Sequence, residues 1–187
     1  MLTAMRPNRH ARRGFTLVEL MAVVIIVAVL ASLAVYAVRK YVWSAKTTEA
    51  YQMINSIRSA QEAYRAETFA YCNVSEGDLG KYWPAQPPLA GKVDWNDGGD
   101  CATAPCTGFR TLGVVPNSRV QFRYSTVAGA GTVEVRNLEA KGYQLPATAP
   151  GPWYVVQAVG DQNADNVLSA FHSTSFTSDV YSEHETE

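Results

Sequence analysis

Glu19 is the residue whose type and position most clearly indicate chemistry. It is the only charged residue between Phe15 and Val38, in a run that is otherwise uncharged and mostly apolar. A carboxylate without a partner is costly in such a segment, so its presence usually has a functional reason. Hydrolysis of the peptide bond after Gly14 would create a free amine on Phe15. We therefore predict that Glu19 of one subunit pairs with the new terminal amine of another subunit.

A second candidate site is a turn in which Asp161, Asn163 and Asp165 alternate with other residues. Oxygen side chains at this spacing can converge on one point, as the first ligands of a calcium loop do. The match is incomplete, because His172 stands where such a loop would place a bidentate Glu. Asp and Asn also favour turns by bonding to their own backbone, and that alternative stays open. We expect His172 and His184 to face solvent.

The three cysteines, Cys72, Cys101 and Cys106, are candidates for a disulfide. Their odd number leaves one thiol over in a compartment where disulfides persist. We favour Cys72 pairing with Cys101 or Cys106, because the larger ring would constrain the unfolded chain more. The alternative is a tight loop from Cys101 to Cys106. The spacing is not that of a zinc site.

The sequence gives no sign of catalysis or of nucleic-acid binding. No nucleophile–base pair, cleft carboxylate pair or phosphate-binding glycine loop can be placed, so we predict that the chain is not an enzyme. Residues 1–14 hold four of the 16 basic residues and none of the 17 acidic ones. The remainder is mildly acidic and lacks the basic stripe that a phosphate backbone requires. We therefore predict no direct nucleic-acid site.

These candidates require a long helix to position them, which we predict over residues 15–68. No proline or glycine occurs between Gly14 and Gly77. We predict that residues 15–38 cross a membrane, since a helix of about 1.5 Å per residue over that length spans a hydrocarbon core of ~30 Å. Residues 39–68 are amphipathic, and we expect a sheet to pack against their apolar stripe. The basic residues 1–14 should stay cytoplasmic and place the rest outside the membrane.

The rest of the chain is predicted to form an irregular segment and then an antiparallel sheet. Residues 69–110 are rich in glycine and proline, which disfavours any long regular element. Residues 111–187 alternate apolar and polar positions and should supply about four strands, with one face on the helix and one face wet. We expect residues 120–127 and 132–135 to pair across a turn at residues 129–131, followed by strands at 153–159 and within 168–181.

The string Gly14-Phe-Thr-Leu-Val-Glu-Leu-Met, after an arginine-bearing leader and before the apolar run, resembles the class III signal of type IV pilins and type II secretion pseudopilins. The C-terminal part, with Gly160-Asp-Gln-Asn-Ala-Asp-Asn and an acidic tail, is similar to a pilin-like group common in deltaproteobacteria. The resemblance implies an α+β chain with the type IV pilin fold, a long N-terminal helix packed on a roughly four-stranded antiparallel sheet.

The resemblance also implies how the chain is processed and used. A prepilin peptidase would cleave after Gly14, Phe15 would be N-methylated, and an inner-membrane assembly platform would polymerise the subunits into a homo- or hetero-oligomeric filament. The implied function is that of a major or minor pilin in motility, adhesion or DNA uptake. Two alternatives stay open: a type II secretion pseudopilin, and a membrane-anchored periplasmic binding module that never polymerises.

Overall fold

The computed structural model describes residues 14–86, 91–96 and 101–185. Of the predicted leader, residues 1–13 lie outside the described residues. The contacts divide the chain into two units, Met1–Arg39 and Lys40–Glu187. The elements in chain order are α1 (Leu17–Thr68), α2 (Ala104–Thr111), β1 (Arg123–Thr132), β2 (Thr148–Gly160), β3 (Ser169–Thr174) and β4 (Val180–Glu183). This long helix followed by a four-stranded antiparallel sheet confirms the predicted α+β pilin-type architecture.

Helix α1 continues without a break because no residue in it interrupts the hydrogen-bond ladder. Its buried side chains all lie in the second half of the helix: Thr47, Ala50, Met53, Ile54, Ile57 and Gln61. Met53, Ile54 and Ile57 belong to the predicted stripe, whereas its other predicted members, Ala60 and Tyr64, are only partly buried. The helix ends where Phe69 takes a left-handed backbone conformation with φ of 61°. The Phe69 N–H donates to the carbonyl of Arg65 at 2.8 Å, which satisfies one of the last free carbonyls of the helix.

The four strands form a meander in which each strand pairs with its neighbour in sequence. In β2 and β3, Gln157 lies opposite His172, and Ala158 lies opposite Phe171. Because side chains alternate between the two faces of a strand, these pairs define the two faces of the sheet. Phe171 and Ala158 belong to the larger core cluster, together with the buried residues of α1. The helix therefore covers that face of the sheet.

The second face of the sheet is not wet, and that prediction was wrong. Trp153, Val155 and Val159 are all at most 3% exposed on this face. Residues 133–147 cover it, since their apolar side chains pack against the strands and the Glu139 N–H donates to Oε1 of Gln157 at 2.8 Å. The physical reason is the nearly continuous apolar run of β2, which is typical of a strand buried on both faces.

The predicted turn at residues 129–131 was also wrong, because β1 continues through it to Thr132. Gly129 lies opposite Trp153, and a Cβ added at Gly129 would come within 2.7 Å of the Trp153 ring. Gly131, with φ of 76°, lies at a register shift of the ladder. The glycines thus make room for an indole and for a bulge instead of reversing the chain. Residues 132–135 consequently do not form a partner strand.

We expect Gly129→Ala to destabilise the fold by about 1–3 kcal/mol, because the new methyl group must displace the buried indole of Trp153. The free energy of unfolding, measured by denaturant titration of the full chain in maltoside micelles, checks this. Gly151→Ala is the matched control in β2, since no atom lies within 4 Å of its Cβ. An equal loss in both variants would contradict the packing argument.

The described part of the segment before the sheet contains a short helix that the sequence did not predict. Helix α2 begins with Pro105 in its first turn, where a missing N–H is tolerated. This turn brings the Cα atoms of Cys101 and Cys106 to 5.4 Å, and the two cysteines form the disulfide. The favoured pairing of Cys72 was therefore wrong. Cys72 is a half-buried free thiol.

A buried glutamine, rather than a disulfide, fastens the end of α1 to the chain that follows it. Gln61 is fully buried, its Nε2 donates to the carbonyl of Cys72 at 2.8 Å, and its Oε1 accepts from the Cys72 N–H at 2.8 Å. Nε2 also lies 3.3 Å from Oγ1 of Thr126 in β1. One side chain thus joins the helix, the following segment and the sheet.

We expect Gln61→Leu to lower the free energy of unfolding by about 2–4 kcal/mol, because it leaves the Cys72 backbone groups without their partner. Gln52→Leu is the same change on the exposed face of α1 and should cost less than about 0.5 kcal/mol. Chemical unfolding of both variants measures the difference. A Gln61→Leu chain as stable as the native one would show that the bonds are dispensable.

Candidate functional site at the start of the helix

Glu19 lies in the first turn of α1, where it bonds to Thr16. The Thr16 N–H and Oγ1 both donate to Oε2 of Glu19, each at 2.9 Å, and the Glu19 N–H donates to Oγ1 of Thr16 at 3.2 Å. This reciprocal pair is a capping box, which satisfies free backbone donors at a helix start. Sequence reasoning overlooked it, although Thr-x-x-Glu ahead of an apolar run is its signature.

The capping box leaves one carboxylate oxygen available. Both bonds from Thr16 go to Oε2, and no hydrogen bond reaches Oε1 of Glu19 from any described residue. Phe15, which precedes the box, is 87% exposed. The box therefore fixes the carboxylate beside the predicted cleavage point while Oε1 can still accept from an external donor.

The surface around this site is apolar throughout. Every large apolar side chain from Phe15 to Val38 is 53–87% exposed. Among the described residues, α1 is the one helix whose length and composition suit a membrane crossing. An exposed apolar surface of this size requires lipid or other protein to cover it.

The acidic turn is closed by its own hydrogen bonds. Asp161 accepts from the N–H groups of Ala164 and Asn166 at 2.6 and 3.0 Å. Oδ1 of Asn163 accepts a hydrogen bond from the Asp165 N–H. Nδ2 of Asn163 donates to Oδ2 of the Asp165 carboxylate at 2.8 Å. These bonds account for the Asp and Asn residues as turn formers. A calcium ion held by Asp161, Asn163 and Asp165 stays a prediction.

The prediction that His172 faces solvent was wrong, because the residue is only 1% exposed. It lies on the second face of the sheet, where its ring centroid is 4.4 Å from that of Tyr143 and 4.8 Å from that of Tyr181. Burial lowers the pKa of His172 to about 4. His184 is exposed, as predicted.

Comparison with known proteins places these residues in a recognised motif. Residues 9–35 match the family described as the prokaryotic N-terminal methylation motif. The chain carries a pilin-type methylation motif. The matched residues include Gly14, Phe15 and Glu19, so the motif coincides with the capping box and the start of the exposed apolar surface. The motif and the apolar helix together indicate anchoring in a membrane before assembly.

One relative shares more of the chain. A stretch of 70 residues is 39% identical to the type II secretion system core protein G of Pseudomonas aeruginosa, covering 37% of this chain and 49% of that protein. The chain thus spans about half the length of this curated relative. No solved structure shows a significant match to the chain. The pilin-type motif and the similarity to a type II secretion protein agree with the predicted resemblance to pilin-like proteins.

Proposed function

We propose that this chain is a structural subunit of a type IV pilus-like filament, serving as a major or minor pilin in motility, adhesion or DNA uptake. The observation that carries the proposal is the methylation motif at the head of an exposed apolar segment, residues 15–38, in which Glu19 is the only charged residue. A prepilin peptidase cleaves after Gly14, and Phe15 becomes the methylated N-terminus. The chain then stands in the inner membrane with its C-terminal part outside the cytoplasm.

Assembly follows from the physical chemistry of the helix. The exposed apolar side chains leave lipid and pack against those of other subunits in the filament core. At each step the amine of an incoming Phe15 meets the free Oε1 of a Glu19 already in place. A buried ion pair adds little net stability, but a missing partner is strongly penalised. The pair therefore sets the register of each new subunit.

A pseudopilin of a type II secretion system is the second candidate. The identity to core protein G of such a system favours it. In this case the filament remains within the cell envelope and takes part in export. Both candidates use the same processing and the same pairing of Glu19 with Phe15, so they differ in the partners of the filament and not in its assembly.

The mass of the mature subunit tests whether the chain is processed as proposed. Intact protein from the native envelope should begin with N-methylated Phe15 and lack residues 1–14. A Gly14→Val chain, whose bulkier residue obstructs cleavage, should keep the leader and serves as the control. A native chain that still begins with its leader, or that begins beyond Val38, would refute the proposal.

Imaging then separates the two candidates. Surface filaments sheared from cells should bind an antibody against this subunit if the chain is a pilin. A pseudopilin would be absent from sheared filaments, and its deletion would stop the export of secreted proteins. A processed subunit found in neither a surface filament nor a secretion pathway would leave the anchored binding module as the correct reading and overturn both candidates.

A further inference from the structure

A cavity of about 260 Å³ lies beside β3 and β4, remote in sequence from the methylation motif. Three aromatic rings form part of its wall, those of Tyr143, His172 and Tyr181. The other side chains that line the cavity are small or polar. They are Ser173, Thr177, Asp179 and Val180. The covering segment, β3 and β4 each contribute one ring, so the wall exists only in the folded chain.

The three rings are inclined to one another and present π faces in several directions. The angle between the planes of the Tyr143 and His172 rings is 71°, and the angle between those of the His172 and Tyr181 rings is 45°. The centroids of Tyr143 and Tyr181 are separated by 5.7 Å. Aromatic faces carry negative charge density and attract cations that approach within about 6 Å of the ring centre.

His172 adds an independent sign of a ligand. Although it is 99% buried, neither Nδ1 nor Nε2 has a hydrogen-bond partner among the residues that the structure describes. Buried polar atoms are nearly always paired, so a pair of unpaired nitrogens calls for an explanation. The low pKa of about 4 keeps the imidazole neutral near pH 7, with one nitrogen able to accept a hydrogen bond.

The charge of the cavity selects the class of ligand. Among the described residues that line it, Asp179 is the only charged one. Arg58 of α1 does not line the cavity, and its charge is directed at the carbonyls of Thr177 and Ser178, to which it donates. An anion would be repelled by the carboxylate and by the ring faces. A neutral alcohol would gain neither the ion pair nor the cation–π contact. A primary ammonium ion can make both contacts and can also donate to the imidazole nitrogen.

We propose that this cavity binds a small primary alkylammonium ion, held by the rings of Tyr143 and Tyr181, the carboxylate of Asp179 and the acceptor nitrogen of His172. Both ring nitrogens of His172 are buried, so binding requires a side chain to move, and we assign this movement to Tyr181, whose ring packs against His172. That movement is local, because Tyr181 is 38% exposed and belongs to a four-residue edge strand. The site is separate from the assembly function proposed above.

Titration of the full chain in maltoside micelles with n-butylammonium, followed by NMR of the labelled His172 ring and the Tyr181 amide, tests the proposal. Both signals should shift and saturate together at pH 7. Sodium n-butyrate and n-butanol have the same length but lack the positive charge, and they should bind at least tenfold more weakly. Equal binding of either compound, or no saturable shift with n-butylammonium, would overturn the assignment.

Two substitutions locate the binding. Asp179→Asn should weaken n-butylammonium binding about tenfold, while the Asp179 carbonyl still accepts from Oγ of Ser173. Tyr181→Leu should weaken it by a similar factor through loss of a ring face. Glu67→Gln removes an exposed carboxylate elsewhere on α1 and should leave the affinity unchanged. If Asp179→Asn and Glu67→Gln bind equally well, the ion is attracted by net charge alone and the site is refuted.

Discussion

Glu19→Gln is expected to abolish entry of the subunit into filaments while leaving membrane insertion and cleavage intact. The amide can still accept the two bonds from Thr16, since Gln serves in a capping box as Glu does. It cannot neutralise the Phe15 amine of the next subunit. Leaving one charge of a buried pair unpaired costs about 3–5 kcal/mol, which corresponds to more than a hundredfold weaker incorporation. Quantifying the subunit in sheared filaments and in membranes measures the effect.

Thr16→Ala and Glu19→Ala separate the two roles of the carboxylate. Thr16→Ala removes the hydroxyl of the capping box but keeps the charge, so it should cost only about 1 kcal/mol at the helix start and permit assembly. Glu19→Ala removes both roles and should fail as completely as Glu19→Gln does. Normal filament content with Glu19→Gln, or an equal block with Thr16→Ala, would show that Glu19 acts as a helix cap and not as an ionic partner.

Acidification should destabilise the sheet through His172 before that residue is protonated in the folded chain. Its folded pKa of about 4 lies below the ordinary value of 6.5, because burial disfavours the charged ring. The unfolded chain therefore binds more protons between these two values. The contribution of the neutral His172 ring to the free energy of unfolding is fully present above about pH 6.5. It is lost as the pH falls from there through 4, and the total loss is about 3 kcal/mol.

His172→Phe should remove this part of the pH dependence. Phenylalanine keeps a flat ring between Tyr143 and Tyr181 but has no nitrogen to protonate. The free energy of unfolding, measured from pH 7.5 to 4, should fall more steeply in the native chain than in His172→Phe. The change in this free energy relative to pH 7.5 should differ between the two chains increasingly below pH 6.5. His184→Gln is the control, since His184 is exposed in both the folded and the unfolded chain. Parallel curves for the native and His172→Phe chains would contradict the assignment.

Local signals made the long helix and its first turn predictable from the sequence. The absence of proline and glycine after Gly14 and the spacing of Met53 and Ile57 determine the helix and its buried stripe. The isolation of Glu19 is a property of a short stretch, and the motif match covers the same residues. The capping of the helix by Thr16 could also have been predicted, because the spacing of Thr16 and Glu19 is a property of the local sequence alone.

The errors share a cause, which is contact between residues distant in sequence. Gly129 has the composition of a turn residue, but its function is to make room for the ring of Trp153, which is distant in sequence. His172 looked solvent-facing because the sequence does not show that residues 133–147 lie over the second face of the sheet. The apolar run of β2 was the available signal for burial on both faces. The pairing of Cys101 with Cys106 depended on a short helix that the glycine and proline content concealed.

The disulfide between Cys101 and Cys106 has a consequence for when the domain can mature. It joins residues only five apart, so it crosslinks the α2 segment to itself and ties no strand to the helix. The junction after α1 depends on Gln61, whose hydrogen bonds form in any redox environment. The contact between the helix and the sheet therefore does not depend on formation of this disulfide. The sheet can therefore attach to α1 before the disulfide between Cys101 and Cys106 forms.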